Sequence, residues 1–248
     1  MKQANYDDIA EDYKSLEKGE PMKEGVINHW MLKGCGDLKG KRVLDLGCGS
    51  GFSSRSYAKA GAKEVVGVDV SKRELEIAKK EEEENPLNIK YFLGDLKNFD
   101  YSDLGVFDMI TAEVSLHYAE NSKELEKFIS LPSPNLKSGG KFVASIIHTE
   151  NIEGSYPTEK KVLDKIQDSD GKRVRVALQG VSGEKIVEFI NIAYPRRVYE
   201  EIFKKNGYGE VDWFDMVPPN ETIKKFPEMD WAKNIAVPTL IMISAVKK

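Results

Sequence analysis

The sequence has few of the residues that build disulfide-linked or zinc-stabilised proteins. Its 248 residues include only two cysteines and three histidines, so we expect no disulfide scaffold and no metal site. It also lacks a long apolar run. The longest, near 236–246, contains Pro238 and falls well short of the ~18 residues that a membrane span requires. No apolar stretch follows the first residues, so we expect no signal peptide, no membrane partner and a cytoplasmic location.

An excess of charge of one sign is also missing. The chain has 37 basic and 41 acidic residues, which gives a net charge of −4. Binding of bulk nucleic acid requires a concentrated positive field, so this near balance argues against a nucleic-acid partner. The hydrophobic fraction of 40% is enough for a sizeable core. At this length the chain is one large domain or two small ones.

What is present is an alternation of short apolar runs and charged segments. Five β-branched runs are predicted strands: Arg42–Leu46, Glu64–Asp69, Ile89–Leu93, Phe107–Thr111 and Lys141–Ile147. The segments between them are predicted helices: Ser53–Lys59, Lys72–Glu83 and Ser122–Ile129. This alternation predicts an α/β fold, in which a parallel sheet carries helices on both faces.

The alternation breaks after the fifth predicted strand. Two strand-like runs, Arg173–Gln179 and Lys185–Ala193, flank Gly180–Gly183 and predict a small hairpin. A predicted helix begins at Pro195, and the final strand is Thr239–Val246. We predict one domain over residues 1–248. Its parts are N-terminal helices at 1–39, a cofactor-binding core at 40–147, a cap insertion at 148–194 and the C-terminal part of the sheet at 195–248.

The strongest local signal is the glycine turn after the first predicted strand, Gly47-Cys48-Gly49-Ser50-Gly51. Its G-x-G-x-G spacing differs from the dinucleotide G-x-G-x-x-G, and no Gly-Lys-Ser/Thr follows as in a Walker loop. Asp45, just before the turn, would repel a pyrophosphate and suits a ligand with a cationic amine. Asp69 closes the next strand, where a carboxylate can accept hydrogen bonds from ribose hydroxyls. S-adenosylmethionine has a ribose, an amino-acid cation and no phosphate, and fits all three requirements.

These residues resemble the first motif and the ribose-binding acid of the class I S-adenosylmethionine-dependent methyltransferases. The resemblance continues at Gly94–Leu96, at Phe107–Ile110 and at Leu136–Phe142, where Ser138 stands in place of the family's proline. It covers about residues 40–147. It implies a Rossmann-like sheet of seven strands in the order 3-2-1-4-5-7-6, with the last strand antiparallel and the small hairpin inserted after strand five. It also implies S-adenosylmethionine as cofactor, with S-adenosylhomocysteine as product.

The resemblance further implies a donor site built from the ends of the predicted strands. Tyr13 lies in a segment similar to the family's leading helix, whose aromatic residue often closes over the cofactor. Glu113 is a candidate partner for the donor's ammonium group. The complete set of predicted cofactor-binding residues is Tyr13, Asp45, Gly47, Cys48, Gly49, Asp69, Val70, Gly94, Asp95, Leu96, Ala112, Glu113 and Val114.

The acceptor side is less marked in the sequence, because methyl transfer from a sulfonium depends mainly on positioning and on exclusion of water. A general base is optional. His117, after strand four, and His148, after strand five, are candidate catalytic residues, and each could equally be a hydrogen-bonded structural histidine. The candidate acceptor contacts are aromatic residues that could instead belong to the core: Tyr118, Tyr156, Tyr194 and Trp213.

Residues 111–119 lack both the Asn/Asp-Pro-Pro-Tyr motif of adenine-amine methyltransferases and a cysteine nucleophile. The aromatic and proline pattern of 194–238 resembles toxoflavin-synthase-like N-methyltransferases, which methylate ring nitrogens of fused heterocycles. We therefore predict methyl transfer to a small molecule, at nitrogen or oxygen of an aromatic or heterocyclic metabolite, by a monomer or homodimer. Two alternatives stay open: an RNA or protein methyltransferase of the same fold, and a non-catalytic S-adenosylmethionine-binding module.

Overall fold

The computed structural model describes residues 21–148, 158–165, 171–179 and 185–248. A seven-residue π-helical segment, Pro21–Ile27, leads directly into the first α-helix. The α-helices are α1 (Asn28–Cys35), α2 (Phe52–Lys59), α3 (Lys72–Glu84), α4 (Ser122–Ser130), α5 (Arg196–Lys205), α6 (Asn220–Lys225) and α7 (Trp231–Ala236). The strands are β1 (Arg42–Leu46), β2 (Glu64–Asp69), β3 (Ile89–Leu93), β4 (Phe107–Glu113), β5 (Leu136–Ile147), β6 (Thr158–Lys165), β7 (Lys172–Gln179), β8 (Lys185–Ala193), β9 (Tyr208–Asp215) and β10 (Leu240–Lys247).

The large sheet has seven strands in the order β3-β2-β1-β4-β5-β10-β9. Counted along the chain within this sheet, the order is 3-2-1-4-5-7-6, which confirms the prediction. β10 is antiparallel to both of its neighbours: Ile243 lies opposite Ala144 of β5 and opposite Trp213 of β9. The carboxyl ends of β1–β5 and β9 therefore all lie at one edge of the sheet, called here the carboxyl edge. In open sheets of this type, ligands bind at that edge.

Two hydrophobic cores cover the two faces of the large sheet, as the apolar strands require. On one face, Phe142 packs edge-to-face against Phe203 of α5 and Tyr208 of β9. On the other face, Met31 of α1 and Tyr57 of α2 are fully buried with neighbouring strand residues. Because the strands bury side chains on both faces, the register of the sheet is fixed from both sides.

Polar side chains fix where two of the helices begin. Ser71 precedes α3, and its Oγ accepts a hydrogen bond from the backbone N–H of Glu74 at 3.2 Å. Asn121 precedes α4, and its Oδ1 accepts one from the N–H of Glu124 at 3.0 Å. Such caps satisfy N–H groups that have no partner within the helix.

The cap insertion is larger than the predicted hairpin. β7 and β8 form that hairpin, with Val174 opposite Asn191, and β6 adds a third antiparallel strand on the other side of β7. The sequence of β6, Thr-Glu-Lys-Lys-Val-Leu-Asp-Lys, has no regular alternation of apolar and polar residues, so it does not stand out as a strand. The predicted turn at 180–183 lies outside the described residues, as does the predicted leading helix around Tyr13.

A second connection, residues 216–239, also begins and ends at the carboxyl edge, because it joins β9 to the antiparallel β10. It carries α6 and α7, two helices that the sequence analysis did not predict. The connection packs back onto the start of the described chain: the Thr222 hydroxyl of α6 donates to the carbonyl of Gly25 at 2.7 Å. Among the helices that the structure describes, none has the length and apolarity needed to cross a membrane.

Candidate functional site

The glycine turn links β1 to α2 and is held against β2. The backbone N–H groups of Gly47 and Cys48 donate to the Val68 carbonyl at 2.8 and 3.2 Å. Gly47 has φ +69°, and a Cβ atom there would lie 2.6 Å from the Cβ of Ser115. Ser115 itself donates from its hydroxyl to the Leu46 carbonyl at 2.9 Å. The first glycine of the motif is therefore required by both backbone conformation and close packing.

Asp69 connects the end of β2 to the glycine turn. Its Oδ2 accepts a hydrogen bond from the Gly49 N–H, and its Oδ1 accepts one from the Ser71 N–H, both at 2.8 Å. A carboxylate oxygen can accept a second hydrogen bond, so this group can also receive ribose hydroxyls. Val70, the next residue, is 64% exposed, which is unusual for valine and leaves an apolar surface beside the carboxylate.

Asp45 is a buried acid at the start of the turn. The Ser54 hydroxyl donates to its Oδ2 at 2.6 Å, and the Thr111 hydroxyl donates to its Oδ1 at 2.9 Å. The pKa of Asp45 is raised to about 7, chiefly by burial and also by the negative charges of Glu113 and Asp69, against the lowering effect of the two hydroxyls. The carboxyl group is therefore poised to change charge near neutral pH.

Glu113 ends β4 next to this acid and accepts a hydrogen bond from the Ser53 hydroxyl. The following residue, Val114, has φ +51°, a conformation that is strained for a β-branched side chain. Its N–H group lies 3.0 Å from both the carbonyl and the hydroxyl oxygen of Ser145 on β5. β5 thus holds the end of β4 in this turn.

The three predicted cofactor residues that follow β3 differ in their burial and contacts. The Gly94 N–H donates to the Asp69 carbonyl at 2.8 Å, which places this turn beside the glycine turn. Asp95 accepts a hydrogen bond from the Lys97 N–H at 3.1 Å, and its carboxylate is partly exposed. Leu96 is buried in the hydrophobic core.

Two further predicted cofactor residues, Ala112 and Cys48, are also buried. Ala112 belongs to the same core as Leu96. Cys48 packs on Gly67, where an added Cβ would lie 2.7 Å from its Sγ. Burial raises the pKa of the Cys48 thiol, as expected for a packing residue and not a nucleophile.

The two candidate catalytic histidines lie at the carboxyl edge of neighbouring strands. His117 is fully buried in the turn after β4, with its ring 4.9 Å from that of Tyr118. His148 directly follows β5 and is 3% exposed. Its Nε2 lies 3.1 Å from Oδ1 of Asp215, the last residue of β9. The His148 backbone N–H donates to the Thr239 carbonyl at 2.9 Å, which fixes the residue beside β10.

The remaining candidate residues for acceptor contact lie in the cap and in the large sheet. The Tyr194 hydroxyl, at the end of the cap, donates to the Ala119 carbonyl at 2.9 Å and so ties the cap to the turn that holds His117. Trp213 lies on the edge strand β9, and its indole N–H donates to Glu200 of α5 at 3.0 Å. Tyr13 and Tyr156 lie outside the described residues.

Sequence reasoning missed several polar residues of the site. Ser53 and Ser54 lie in the first turn of α2, directly after the glycine turn, and that position was an available signal. Thr111 meets Asp45 because the two are paired in the register of β1 and β4. Ser145 and Asp215 come from distant parts of the chain, and no local pattern marks them. Across residues 21–148 and the later described ranges, no cluster of His, Cys, Asp or Glu suitable for a metal ion is found.

Comparison with known proteins gives one matching family model, described as a methyltransferase domain, over residues 43–140. Among curated proteins, a ubiquinone biosynthesis O-methyltransferase of Coxiella burnetii is 35% identical over 152 residues, which are 58% of this chain. The matched part spans 61% of that relative's length.

Similar solved structures cover nearly the whole chain. An S-adenosylmethionine-dependent methyltransferase from Clostridium acetobutylicum has a TM-score of 0.66 at 19% identity, covering 98% of this chain and 99% of that one. The S-adenosylmethionine-bound amino pentose methyltransferase CalS10 from Micromonospora echinaspora has a TM-score of 0.57 at 16% identity, covering 97% and 92%. At these identities the similarity shows a shared fold.

The geometry of the site fits S-adenosylmethionine. Gly49 lies beside Asp69, and among the described residues a Cβ there would meet only Glu74 Oε2, at 3.6 Å. Asp45 and Glu113 bring two acidic side chains to the first turn of α2, where they accept hydrogen bonds from Ser54 and Ser53. The matched domain and this fit support the prediction of an S-adenosylmethionine-dependent enzyme, while the narrower resemblance to toxoflavin-synthase-like enzymes stays a prediction. Residues 43–140 thus match a methyltransferase-domain model, and the large sheet has the strand order of the class I methyltransferase fold.

Proposed function

We propose that this protein transfers a methyl group from S-adenosylmethionine to nitrogen or oxygen of a small aromatic or heterocyclic molecule. The observation that carries the proposal is the convergence of Asp45, Asp69 and Glu113 on the glycine turn. Three acidic side chains lie beside the turn, and the backbone of the turn leaves room for a ligand. This arrangement suits a donor that has a ribose and a positive charge. When bound, S-adenosylmethionine supplies an electrophilic methyl group on a sulfonium sulfur.

The residues of the chain hold and orient the donor. Asp69 accepts the ribose hydroxyls, and Asp95 accepts a hydrogen bond from the adenine amino group. Glu113 and Asp45 favour the positive charge of the donor's amino-acid end. Val114 lines the methionine end in its strained conformation, held by Ser145. Catalysis then rests mainly on positioning, because displacement at a methyl group requires the acceptor to lie in line with the breaking bond.

The acceptor binds on the side of β4 and β5, below the cap. Tyr118, Tyr194 and Trp213 are proposed to contribute aromatic surface, and Tyr156 belongs to the same proposal. The cap and the near balance of charge favour a small molecule over a nucleic acid, and the matched O-methyltransferase relative supports the same class. A cytoplasmic monomer or homodimer, without a membrane partner, completes the proposal.

Calorimetric titration with S-adenosylhomocysteine tests donor binding, and a transfer screen tests the acceptor. The screen uses radiolabelled S-adenosylmethionine with phenols, amines and fused heterocycles, and includes bulk RNA and protein extract as competing acceptors. We expect micromolar donor-product binding and transfer to a small molecule. Absence of binding would refute the donor site. Binding without transfer to any class would favour a non-catalytic module, and transfer to RNA or protein would favour the other alternative.

Replacing His148 with glutamine is expected to lower kcat about 100-fold, since a positioned general base typically contributes at least that factor. His148 takes the acceptor's proton, and Asp215 orients its ring, so Asp215→Asn should cost less, about tenfold. The measurement is kcat against pH with the acceptor that the screen returns. The matched control is the affinity for S-adenosylhomocysteine, which should stay within twofold. A kcat unchanged in both variants would remove this pair from the mechanism.

Donor binding is expected to strengthen as the pH rises from 5.5 towards 7. The pKa of Asp45 is raised in the folded protein, so the free protein binds an extra proton between about pH 4 and 7, and its stability falls as pH rises through that window. A cationic donor favours the ionised carboxylate, so binding releases that proton. Calorimetry in two buffers of different ionisation enthalpy measures the release. Asp45→Asn should abolish it, and an equal release in the variant would assign the proton to another group.

A further inference from the structure

The connection 216–239 lies over the same edge of the sheet as the candidate site. β9 ends at the carboxyl edge and β10 begins there, so the connection leaves the sheet and returns to it on that side. Its ends are fixed by the Met216 N–H, which donates to the Leu240 carbonyl at 3.1 Å, and by the Thr239 carbonyl, which accepts from His148. The connection and the cap thus approach the carboxyl edge from β9 and β5 respectively.

Within this connection, Asn234 is a buried amide without a hydrogen-bond partner. It is 1% exposed, and neither its Nδ2 nor its Oδ1 bonds to any residue in the described parts of the chain. It lies one helical turn after Trp231, so both side chains share the buried face of α7. Trp231 packs there in the core that includes Met216 and Leu240, and its own indole N–H is satisfied by the Phe226 carbonyl at 2.8 Å.

Another buried amide in the same protein shows the usual arrangement. The Asn135 Nδ2 donates to the Tyr101 carbonyl at 2.8 Å and to the Gly105 carbonyl at 2.7 Å. Buried polar groups in folded proteins are nearly always paired in this way, because an unpaired one loses its hydration without compensation. An amide that is left unpaired costs stability, and both of its polar atoms can still bind a ligand.

We propose that residues 216–239 form a wall of the acceptor pocket and that Asn234 binds the acceptor through its side-chain amide. An amide donates and accepts side by side. A ligand that pairs with both groups presents an N–H next to a C=O, as the lactam or imide of a nitrogen heterocycle does. The inference rests on the proposed function, and it names both the substrate class of that site and a residue that selects it.

The first test compares the thermal stability of Asn234→Leu with that of the control Asn135→Leu, both without ligand. Replacing an unpaired amide by an apolar group of similar size should raise Tm by about 2–4 °C. Replacing the paired amide should lower Tm by a similar or larger amount. A fall in Tm for Asn234→Leu like that of the control would mean that the amide is satisfied, for instance by a buried water, and would overturn the proposal. If either leucine variant fails to fold, the alanine variants replace them, and Asn234→Ala should lower Tm less than Asn135→Ala does.

The second test measures ligand choice by calorimetry in the presence of S-adenosylhomocysteine. Hypoxanthine and uracil carry the amide edge, and purine and pyrimidine are the same rings without it. Wild type should bind hypoxanthine and uracil at least about tenfold more tightly than purine and pyrimidine. That ratio corresponds to the contribution of one good hydrogen bond. Asn234→Leu should remove that preference and leave S-adenosylhomocysteine affinity within twofold. No preference in wild type, or one that survives in the variant, would overturn the proposal. Failure of wild type to bind S-adenosylhomocysteine would instead refute the proposed function, and the Tm comparison would still decide the state of Asn234.

Discussion

Replacing Asp69 with asparagine is expected to weaken S-adenosylhomocysteine binding by at least about 100-fold. The carboxylate already accepts the N–H groups of Gly49 and Ser71, so the asparagine amide must turn a donor towards one of them. The two proposed hydrogen bonds from ribose hydroxyls lose their charged acceptor as well. At about 1.5 kcal/mol for each such bond, the loss is about 3 kcal/mol, or slightly more than two powers of ten in affinity.

Calorimetric titration of wild type and variant gives this ratio directly. Asp103→Asn is the matched control, because it makes the same chemical change at an exposed position away from the glycine turn. It should bind like wild type. A near-wild-type affinity in Asp69→Asn, with the control also unchanged, would show that the donor is not held through this carboxylate.

Replacing Gly51 with alanine is expected to lower the thermal stability of the protein, the second large effect. Gly51 precedes α2 with φ +84°, and an added Cβ would lie 2.3 Å from the Tyr91 hydroxyl. The left-handed conformation costs a β-carbon about 1–2 kcal/mol and the overlap a similar amount, together about 3 kcal/mol. For a chain of this size that lowers Tm by about 6–12 °C in a calorimetric or fluorescence melt.

Two further variants separate the backbone cost from the cost of the overlap with Tyr91. Gly139 has a similar φ of +74°, and no described residue lies within 4 Å of an added Cβ. Gly139→Ala should therefore show the backbone cost alone, a fall of about 3–6 °C. Tyr91→Phe removes the overlapping hydroxyl and should recover part of the loss in the double variant with Gly51→Ala. Equal effects of the two glycine substitutions, with no recovery by Tyr91→Phe, would show that packing against Tyr91 does not matter.

The residues proposed to hold the cofactor could be singled out in the sequence because their signals are local. The glycine spacing, Asp45 before it and Asp69 at the next strand end lie within 25 residues of each other and follow directly from the chain's alternation of strand and helix. The family resemblance implied the sheet order. Leu96 and Ala112 lie beside those motifs and are buried in the core, and their contact with the cofactor stays a prediction.

Partners far apart in the chain required the folded structure. Thr111 reaches Asp45 across 66 residues because the register of β1 and β4 pairs them. Asp215 meets His148 across 67 residues, at the carboxyl ends of β9 and β5 on either side of β10. β6 could not be recognised from its charged sequence, since its pairing with β7 is what makes it a strand.

By itself, the sequence determined the fold class, the glycine turn and the acidic residues proposed for the donor site, because these depend on residue type and short spacing. Only the tertiary structure decided which polar groups are paired. Asn135 and Asn234 look alike in the sequence, yet one is satisfied by two carbonyls and the other, within the described chain, by none. Burial and hydrogen-bond satisfaction are properties of the packed state, and no local pattern encodes them.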